Sequence, residues 1–495
     1  MPIMDEPTSL DPQIADSNSE KLVAANCYEG LVRIMADGTI GKGVAADWNI
    51  SDDGLTYTFK LRNNSHWAMF SGHKAVLGEN YEDTFDITVK AEDFKFGIER
   101  TLSEQTGSAD APLFSAVKSI STPDDFTIVF NLSYADDNFL YALTNPGAMP
   151  CDEEFFNLTN GKYGLDAKYL LCNGPFHVSK WTEKTSVKLA KNNEYNGESS
   201  VSPSSVTFYI NNDDSEVADK MNSVTYDVAF LSSSQFSSIE NKKDLNSVAV
   251  QNVTYSFIFN QNDNNYRNKN MRLAFCRSCD TSSLFDSQSD ISKADGIVPP
   301  SCKIGGEDYR NGNAAELLSY DETLAKKNFN DALLELGSSS VETTILCTEQ
   351  YEPFVKQMVQ KLQKTLGVKF VSTVKVVSES DLEAAVNDGN YSVAFYPFKA
   401  KSSFAGEIIE GFDQNNIFGY ESDVLSQKIR NIKNNSGSLE GERSAVADAE
   451  NYLVSEAVIM PVFYENSYFV TSKKTSGIYF YSSADNVCFI NAKKS

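Results

Sequence analysis

Cys276 and Cys279 are the residues whose spacing points most directly to chemistry. A Cys-x-x-Cys pair is typical of redox thiols and, where a second pair exists, of zinc sites. The sequence has no second pair, and residues 271–284 carry apolar side chains at helical spacing. This pattern favours a helix with structural cysteines, and we predict no metal ion and no cofactor.

A glycine-rich stretch, GKGVAA at 41–46, fits a loose dinucleotide-binding fingerprint. That fingerprint works only where a strand turns directly into a helix whose first amides meet a pyrophosphate. Here the stretch follows an Asp37-Gly38 turn and leads into another strand-like segment. Nucleotide binding is therefore not predicted.

The sequence also lacks the parts of common hydrolases. It has three histidines, His66, His73 and His177, with no His-Glu-x-x-His and no Gly-x-Ser-x-Gly. Nothing points to a carboxylate pair for glycoside hydrolysis either. We predict no catalytic residues, and an enzyme is the minority interpretation.

Length and charge narrow the class of protein further. At about 150 residues per domain, 495 residues suggest about three units. Acidic residues outnumber basic ones 68 to 43, for a formal charge of -25. Such a surface repels phosphate backbones and anionic lipids, so we expect no nucleic-acid partner.

No run of about 18 apolar residues is present, so the sequence predicts no membrane-spanning helix. We expect an export signal to have preceded the first residue.

The eight cysteines are too dispersed to define a disulfide-stapled domain. Cys151 and Cys172 flank one loop-rich segment and are a possible pair, but the sequence does not give their separation.

Hydrophobic periodicity predicts a mixed α and β chain. Residues 56–61 and 127–132 alternate like strands, and 91–102 has the stripe of an amphipathic helix. Further along, a helix is predicted from a capping box at Ser319 and Glu322 to Gly337.

A β-α-β order follows in the second half of the chain. We predict a strand at 342–347, a helix ended by Gly367 and a strand at 368–377, which implies parallel pairing through a crossover helix. A helix at 380–387 then leads to a strand at 391–398, whose ladder Pro397 is expected to end.

Nine segments, in order and spacing, resemble the family 5 solute-binding proteins of ABC importers, the oligopeptide- and dipeptide-binding group. They are TSLDP at 8–12, YEGLV at 28–32, GVA at 43–45 with Trp48, TYTFKLR at 56–62 with Trp67, KAEDF at 90–94, NGPF at 173–176 with Trp181, KNNEY at 191–195, FN at 259–260 with RLA at 272–274, and IMPV at 459–462. The resemblance covers essentially the whole chain.

The resemblance implies an α/β, periplasmic-binding-protein-like two-lobed fold with an additional inserted lobe, mixed sheets and a ligand cleft between lobes I and III. Lobe I would comprise 1–43, 172–252 and 466–495. Lobe II would be the insertion at 44–171, and lobe III would span 253–465.

The same resemblance implies a function. The chain would be the extracytoplasmic solute-binding subunit of an ABC importer, a cell-surface lipoprotein or periplasmic protein that closes on oligopeptides by hinge motion. It would be a monomer that delivers ligand to a membrane permease with ATPase subunits. Membrane attachment is expected only through an N-terminal anchor outside this sequence. A non-peptide ligand (a sugar, metal chelate or signalling compound) is the alternative, although so few histidines argue against a nickel chelate.

Seven residues are the predicted ligand contacts: Glu29, Tyr255, Asn260, Tyr396, Phe398, Lys399 and Lys401. Family members that grip a free peptide N-terminus carry an Asp where this sequence has Lys401. An ammonium facing a ligand ammonium would repel it. Three alternatives stay open: Lys401 points to solvent, Lys399 or Lys401 receives an anionic group, or longer peptides are held without gripping their ends.

Overall fold

The computed structural model describes residues 1–35, 39–80, 84–136, 138–197, 200–281, 285, 290–399, 404–413, 416–435, 438–481 and 486–495. These residues form two compact units: unit 1 comprises 1–249 and 467–495, and unit 2 comprises 250–466. The chain crosses from one unit to the other within the strands Leu245–Phe259 and Ile459–Ser472. Among the described residues, no helix is both long and apolar enough to span a membrane.

Unit 1 combines short helices with several small sheets. Its α-helices are Asn18–Cys27, Lys74–Leu77, Ala91–Leu102, Phe139–Ala142, Glu153–Leu158, Asp214–Asn222 and Ser233–Ser238. Its strands are Pro2–Ile3, Val32–Ile34, Ile40–Lys42, Ala45–Ile50, Thr56–Leu61, Val117–Asp124, Thr127–Leu132, Phe176–Thr182, Ser186–Lys191, Ser205–Ile210, Val228–Ser232, Thr475–Ser476, Tyr479–Tyr481, Asn486–Cys488 and Lys493–Lys494.

One four-stranded antiparallel sheet lies between residues 45 and 132. Its strands run in the order Ala45–Ile50, Thr56–Leu61, Thr127–Leu132 and Val117–Asp124. Alternate side chains such as Phe59 are fully buried, as the period of two predicts. The helix Ala91–Leu102 buries Phe94 and Ile98 in the same core, whereas Leu102 at its end is exposed.

A second four-stranded sheet has the order Pro2–Ile3, Ser205–Ile210, Ser186–Lys191 and Phe176–Thr182. The first pair is parallel and the others are antiparallel. The strand Val228–Ser232 pairs with the end of Ile459–Ser472 that belongs to unit 1.

Unit 2 is built on a mixed sheet covered by helices. Its helices are Lys269–Ser278, Glu322–Leu336, Glu352–Leu366, Glu379–Asn387, Ala405–Glu410, Asp423–Asn434 and Leu439–Ser455. Its further strands are Ile291–Lys293, Lys303–Ile304, Glu307–Asp308, Val341–Cys347, Phe370–Val376 and Val393–Lys399.

The predicted β-α-β unit is confirmed: Val341–Cys347 and Phe370–Val376 pair in parallel, with the helix Glu352–Leu366 between them in sequence. The strand Leu245–Phe259 pairs antiparallel with Val393–Lys399. Phe257 and Phe395 pack in a core on one face of this sheet, and Ile258 and Ala394 pack in another core on the opposite face. Both faces are buried, which explains why these strands read as apolar runs.

Two local predictions were wrong. The helix Glu322–Leu336 begins at Asp321, whose side chain accepts the Leu324 amide at 2.9 Å, so Ser319 is not its cap. Pro397 does not end its strand but pairs with Tyr255 inside the ladder. The predicted Asp37-Gly38 turn and Leu284 lie outside the described residues.

Candidate functional site

Glu29 is a buried carboxylate at the end of the first helix of unit 1. That helix, Asn18–Cys27, begins with a capping box at Ser17 and leaves Glu29 two residues beyond its last turn. The Arg62 guanidinium donates to one Glu29 oxygen at 2.6 Å. The Tyr195 hydroxyl donates to the other at 2.8 Å. Both carboxylate oxygens are therefore held in one orientation.

The backbone around Glu29 is also fixed. The Asn173 side-chain amide donates to the Glu29 carbonyl at 2.8 Å, and the Glu29 amide donates to the Asn173 oxygen at 3.1 Å. A Cβ added at Gly43 would lie 2.3 Å from the Gly30 carbonyl oxygen. The backbone at Gly30 and the backbone at Gly43 therefore pack directly against each other, a distance that only glycine permits at position 43.

Burial governs the electrostatics of Glu29. Desolvation raises its pKa above the usual value, while Arg62, Tyr195 and Arg33 oppose that rise. Burial also raises the pKa of Tyr195, so its hydroxyl keeps its proton and remains a donor. The arrangement is suited to holding a charged acceptor in place.

Glu29 lines a cavity of about 250 Å³ within unit 1. Its walls mix apolar side chains, including Tyr28 and Met149, with polar ones, including Tyr195 and Asn491. Apolar walls with a few fixed polar groups are typical of binding sites. A carboxylate in such a wall accepts hydrogen bonds from ligand amide or ammonium groups.

Tyr255, in unit 2, lies in a group of stacked and tilted aromatic rings. Its ring centroid is 4.4 Å from that of Tyr351, 5.1 Å from Phe463 and 5.5 Å from Phe395. The residue as a whole is half-buried, and the rings of Phe395 and Phe463 stack against its ring.

Tyr396, Phe398 and Lys399 follow one another along the strand paired with Leu245–Phe259. Tyr396 and Phe398 are half-buried, and Phe398 stacks on Phe412 and Phe418 at 5.9 and 5.7 Å. Lys399 is exposed. Tyr396 and Phe398 lie on the sheet face opposite to Tyr255, and Lys399 lies at the end of the strand.

Asn260 has its side chain occupied by the fold. Its amide donates to the carbonyls of Gly389 and Tyr391 at 2.8 and 2.7 Å, and its oxygen accepts the Asn262 amide at 2.9 Å. It therefore locks the end of one strand to the start of another. Its contact with ligand stays a prediction, and Lys401 lies outside the described residues.

Sequence reasoning missed the residues that hold Glu29. Arg62, Tyr195 and Asn173 stand at the end of TYTFKLR, the end of KNNEY and the start of NGPF. All three lie in motifs that carried the family resemblance. Their position as polar residues inside those motifs is the signal by which the sequence could have identified them.

Cys276 and Cys279 line a separate cavity of about 340 Å³ in unit 2. Burial raises the pKa of Cys276 to about 12 and that of Cys279 well above its usual value. Protonated, buried thiols are weak nucleophiles. Cys151 and Cys172 are not paired in a disulfide: Cys172 lies beside Cys27, and the Cys151 sulfur accepts a hydrogen bond from Arg100 at 3.5 Å.

Comparisons with known proteins agree with this fold. Residues 39–418 match the family model of bacterial extracellular solute-binding proteins, family 5 Middle. The dipeptide-binding protein DppE of Bacillus subtilis is 24% identical over 96% of this chain and 88% of its own length. Listeria monocytogenes OppA bound to peptide superposes with a TM-score of 0.76, 21% identity and coverage of 100% and 98%. A dipeptide binding protein from Pseudoalteromonas sp. SM9913, in complex with Met-Leu, gives 0.78, 17% identity and coverage of 100% and 99%.

Proposed function

Since the chain belongs to the family 5 bacterial extracellular solute-binding proteins, we propose that it is the extracytoplasmic solute-binding subunit of an ABC importer for oligopeptides. In this role it closes on its ligand by hinge motion and delivers it to a membrane permease driven by ATPase subunits. The observation that carries the proposal is the family match over residues 39–418, together with a peptide-binding relative similar along 96% of the chain.

The strand Val393–Lys399 supports recognition of peptide backbone. Val393 and Ala394 pair with Ile345 and Leu346 on one side. From Phe395 to Phe398, no strand among the described residues pairs with that side. An extended peptide added there would pair its amides and carbonyls with this strand irrespective of side chains, except at the Pro397 nitrogen, which has no hydrogen to donate. Recognition of the backbone suits the binding of peptides with different sequences.

Glu29 supports the same proposal from unit 1. The described part of its cavity contains a fixed acceptor but no nucleophile paired with a general base. The site is built to hold a ligand without converting it. We propose Glu29, Tyr255, Tyr396, Phe398 and Lys399 as contacts, with Asn260 and Lys401 as further candidates.

Native mass spectrometry of freshly purified protein tests the proposal. We expect bound species whose masses differ by amino-acid residue masses. Protein emptied by unfolding and refolding should then bind the resynthesised peptides and return them intact. A single bound non-peptide mass would contradict the peptide assignment, and recovery of cleaved peptide would contradict the absence of catalysis.

A further inference from the structure

Cys27 and Cys172 are two thiols that lie side by side in the core of unit 1. Cys27 is the last residue of the helix Asn18–Cys27. Cys172 directly precedes Asn173, the residue whose side chain holds the Glu29 backbone. Both cysteines belong to the same hydrophobic core, and they are 0% and 1% exposed. Neither sulfur has a role among the proposed ligand contacts, so their chemistry is still to be assigned.

The backbone holds the two cysteine segments against each other. The Gly174 amide donates to the Cys27 carbonyl at 2.8 Å. A Cβ added at Gly174 would lie 2.6 Å from the carbonyl carbon of Cys27, so glycine permits this approach. The Ala68 amide donates to the Cys172 carbonyl at 2.7 Å and fixes that residue as well. Disulfides join residues whose Cα atoms lie about 4.4–6.8 Å apart, a separation typical of neighbouring backbone segments.

The two sulfurs also influence each other. Burial raises the pKa of the Cys27 thiol well above its usual value, and the neighbouring Cys172 thiol raises it further. The Cys151 sulfur, by contrast, accepts a hydrogen bond from Arg100. A buried, protonated thiol reacts slowly. Any reaction that joins Cys27 to Cys172 therefore takes place while the chain folds, before the core closes around them.

We propose that Cys27 and Cys172 form a disulfide when the chain folds outside the cytoplasm, with a protein or small-molecule disulfide as the electron acceptor. The inference rests on the extracytoplasmic location in the proposed function, because disulfides form and persist in such compartments. It goes beyond that function by assigning a covalent link next to the backbone that holds Glu29.

The reaction is a thiol–disulfide exchange in two steps. The thiolate of one cysteine attacks the acceptor disulfide, forms a mixed disulfide and releases one acceptor thiolate. The thiolate of the second cysteine then attacks the first cysteine's sulfur, forms the bond between Cys27 and Cys172 and releases the other acceptor thiolate. Two electrons pass from the chain to the acceptor, and the two protons lost by the cysteines end on the two acceptor thiols.

The link acts on both the unfolded and the folded chain. It closes a loop of about 145 residues, which restricts the unfolded ensemble and so stabilises unit 1. In the folded chain it ties the residue two positions before Glu29 to the residue directly before Asn173. Local opening of the backbone around Glu29 should therefore become rarer.

Refolding in a defined redox buffer tests the link. The full chain is reduced, unfolded and refolded with oxidised and reduced glutathione. It is then unfolded in guanidinium, alkylated with iodoacetamide and digested without reductant. We expect mass spectrometry to find the peptides of Cys27 and Cys172 joined to each other and Cys151 alkylated. Cys172→Ala removes the link, and Cys347→Ala, at a buried cysteine of unit 2, is the matched control.

Two measurements follow the effect of the link. Urea unfolding by tryptophan fluorescence reports on unit 1 alone. We expect reductant to lower the wild-type midpoint by at least about 1 M, to leave Cys172→Ala unchanged and to lower Cys347→Ala as it lowers wild type. Hydrogen exchange at the amides of Glu29 and Gly174 should be at least about tenfold slower in the oxidised than in the reduced wild-type chain.

Alkylation of both Cys27 and Cys172 in the oxidised wild-type chain, or a link from Cys172 to Cys151, would overturn the proposal. Equal midpoints and equal exchange rates in the oxidised and reduced chains would overturn it as well. If Cys172→Ala fails to fold, the wild-type measurements still decide. Peptide binding is read separately by native mass spectrometry, so a failure of the peptide assignment is distinguishable from a failure of the disulfide.

Discussion

Among the described residues, replacing Arg62 with Met would leave the buried Glu29 carboxylate with the Tyr195 hydroxyl as its side-chain hydrogen-bond donor and with Arg33 as a nearby positive charge. Removing one partner of a buried ion pair costs about 3–5 kcal/mol. The Arg62 side chain is 16% exposed and that of Glu29 is 4% exposed. Because some water reaches the pair and Tyr195 still donates, we expect a loss of about 2–3 kcal/mol, at or below the low end of that range.

The loss of stability caused by Arg62→Met should depend on pH. The pKa of Glu29 is already raised in the folded protein, and without Arg62 it rises further. A carboxyl whose folded pKa exceeds its unfolded pKa binds more protons in the folded state, so stability falls as pH rises through that interval. Arg62→Met should therefore be more destabilising at pH 8 than at pH 5. The double variant Glu29→Gln with Arg62→Met should lose this dependence.

Urea unfolding followed by tryptophan fluorescence measures this effect in one unit. The three tryptophans, Trp48, Trp67 and Trp181, all lie in unit 1, so their signal does not mix the two units. Lys188→Met, at an exposed position in unit 1, is the control for loss of a charge. If Arg62→Met unfolds at the same urea concentration as wild type at pH 8, the ion pair does not stabilise unit 1 and the reasoning is refuted.

Three further outcomes are expected. Asn173→Ala should destabilise unit 1 by about 2 kcal/mol in the same urea assay, since two hydrogen bonds to the Glu29 backbone are lost; an unchanged midpoint would contradict this. Burial raises the pKa of Asp93 to about 8, so unit 1 should lose stability as pH rises from 4 to 8, and Asp93→Asn should flatten that slope. Glu450→Gln breaks the buried ion pair with Arg310 and weakens the hydrogen bonds that the amides of residues 297 and 298 donate to Glu450. Hydrogen exchange at those two amides should therefore accelerate by at least about tenfold. The control variant Glu342→Gln should leave their exchange rates unchanged.

The bounds of helices and strands that follow from a local residue pattern were predicted correctly in three cases. The strands at 56–61 and 127–132 and the helix at 91–102 have the same bounds in the structure as in the sequence analysis. Their periodicity of two or of 3.6 depends only on neighbouring residues and on which side is buried. The cap at Asp321 was missed because Ser319 and Asp321 both fit the cap composition, and only the folded backbone selects between them.

Pro397 shows how pairing in three dimensions changes the meaning of a residue. A proline disrupts a ladder where its nitrogen must donate, and it is tolerated where that side of the strand has no partner. In the described part of unit 2, the strand around Pro397 pairs with Leu245–Phe259 on one side alone. The sequence could not reveal which side would be open.

The sequence by itself determined the family, several of the helices and strands, and Glu29 as a candidate contact, because ordered motifs and periodicity are local properties. Only the tertiary structure decided how Glu29 is held. Its partners Arg62, Asn173 and Tyr195 are 33, 144 and 166 positions away along the chain. Residues so far apart along the chain meet through the packing of several elements.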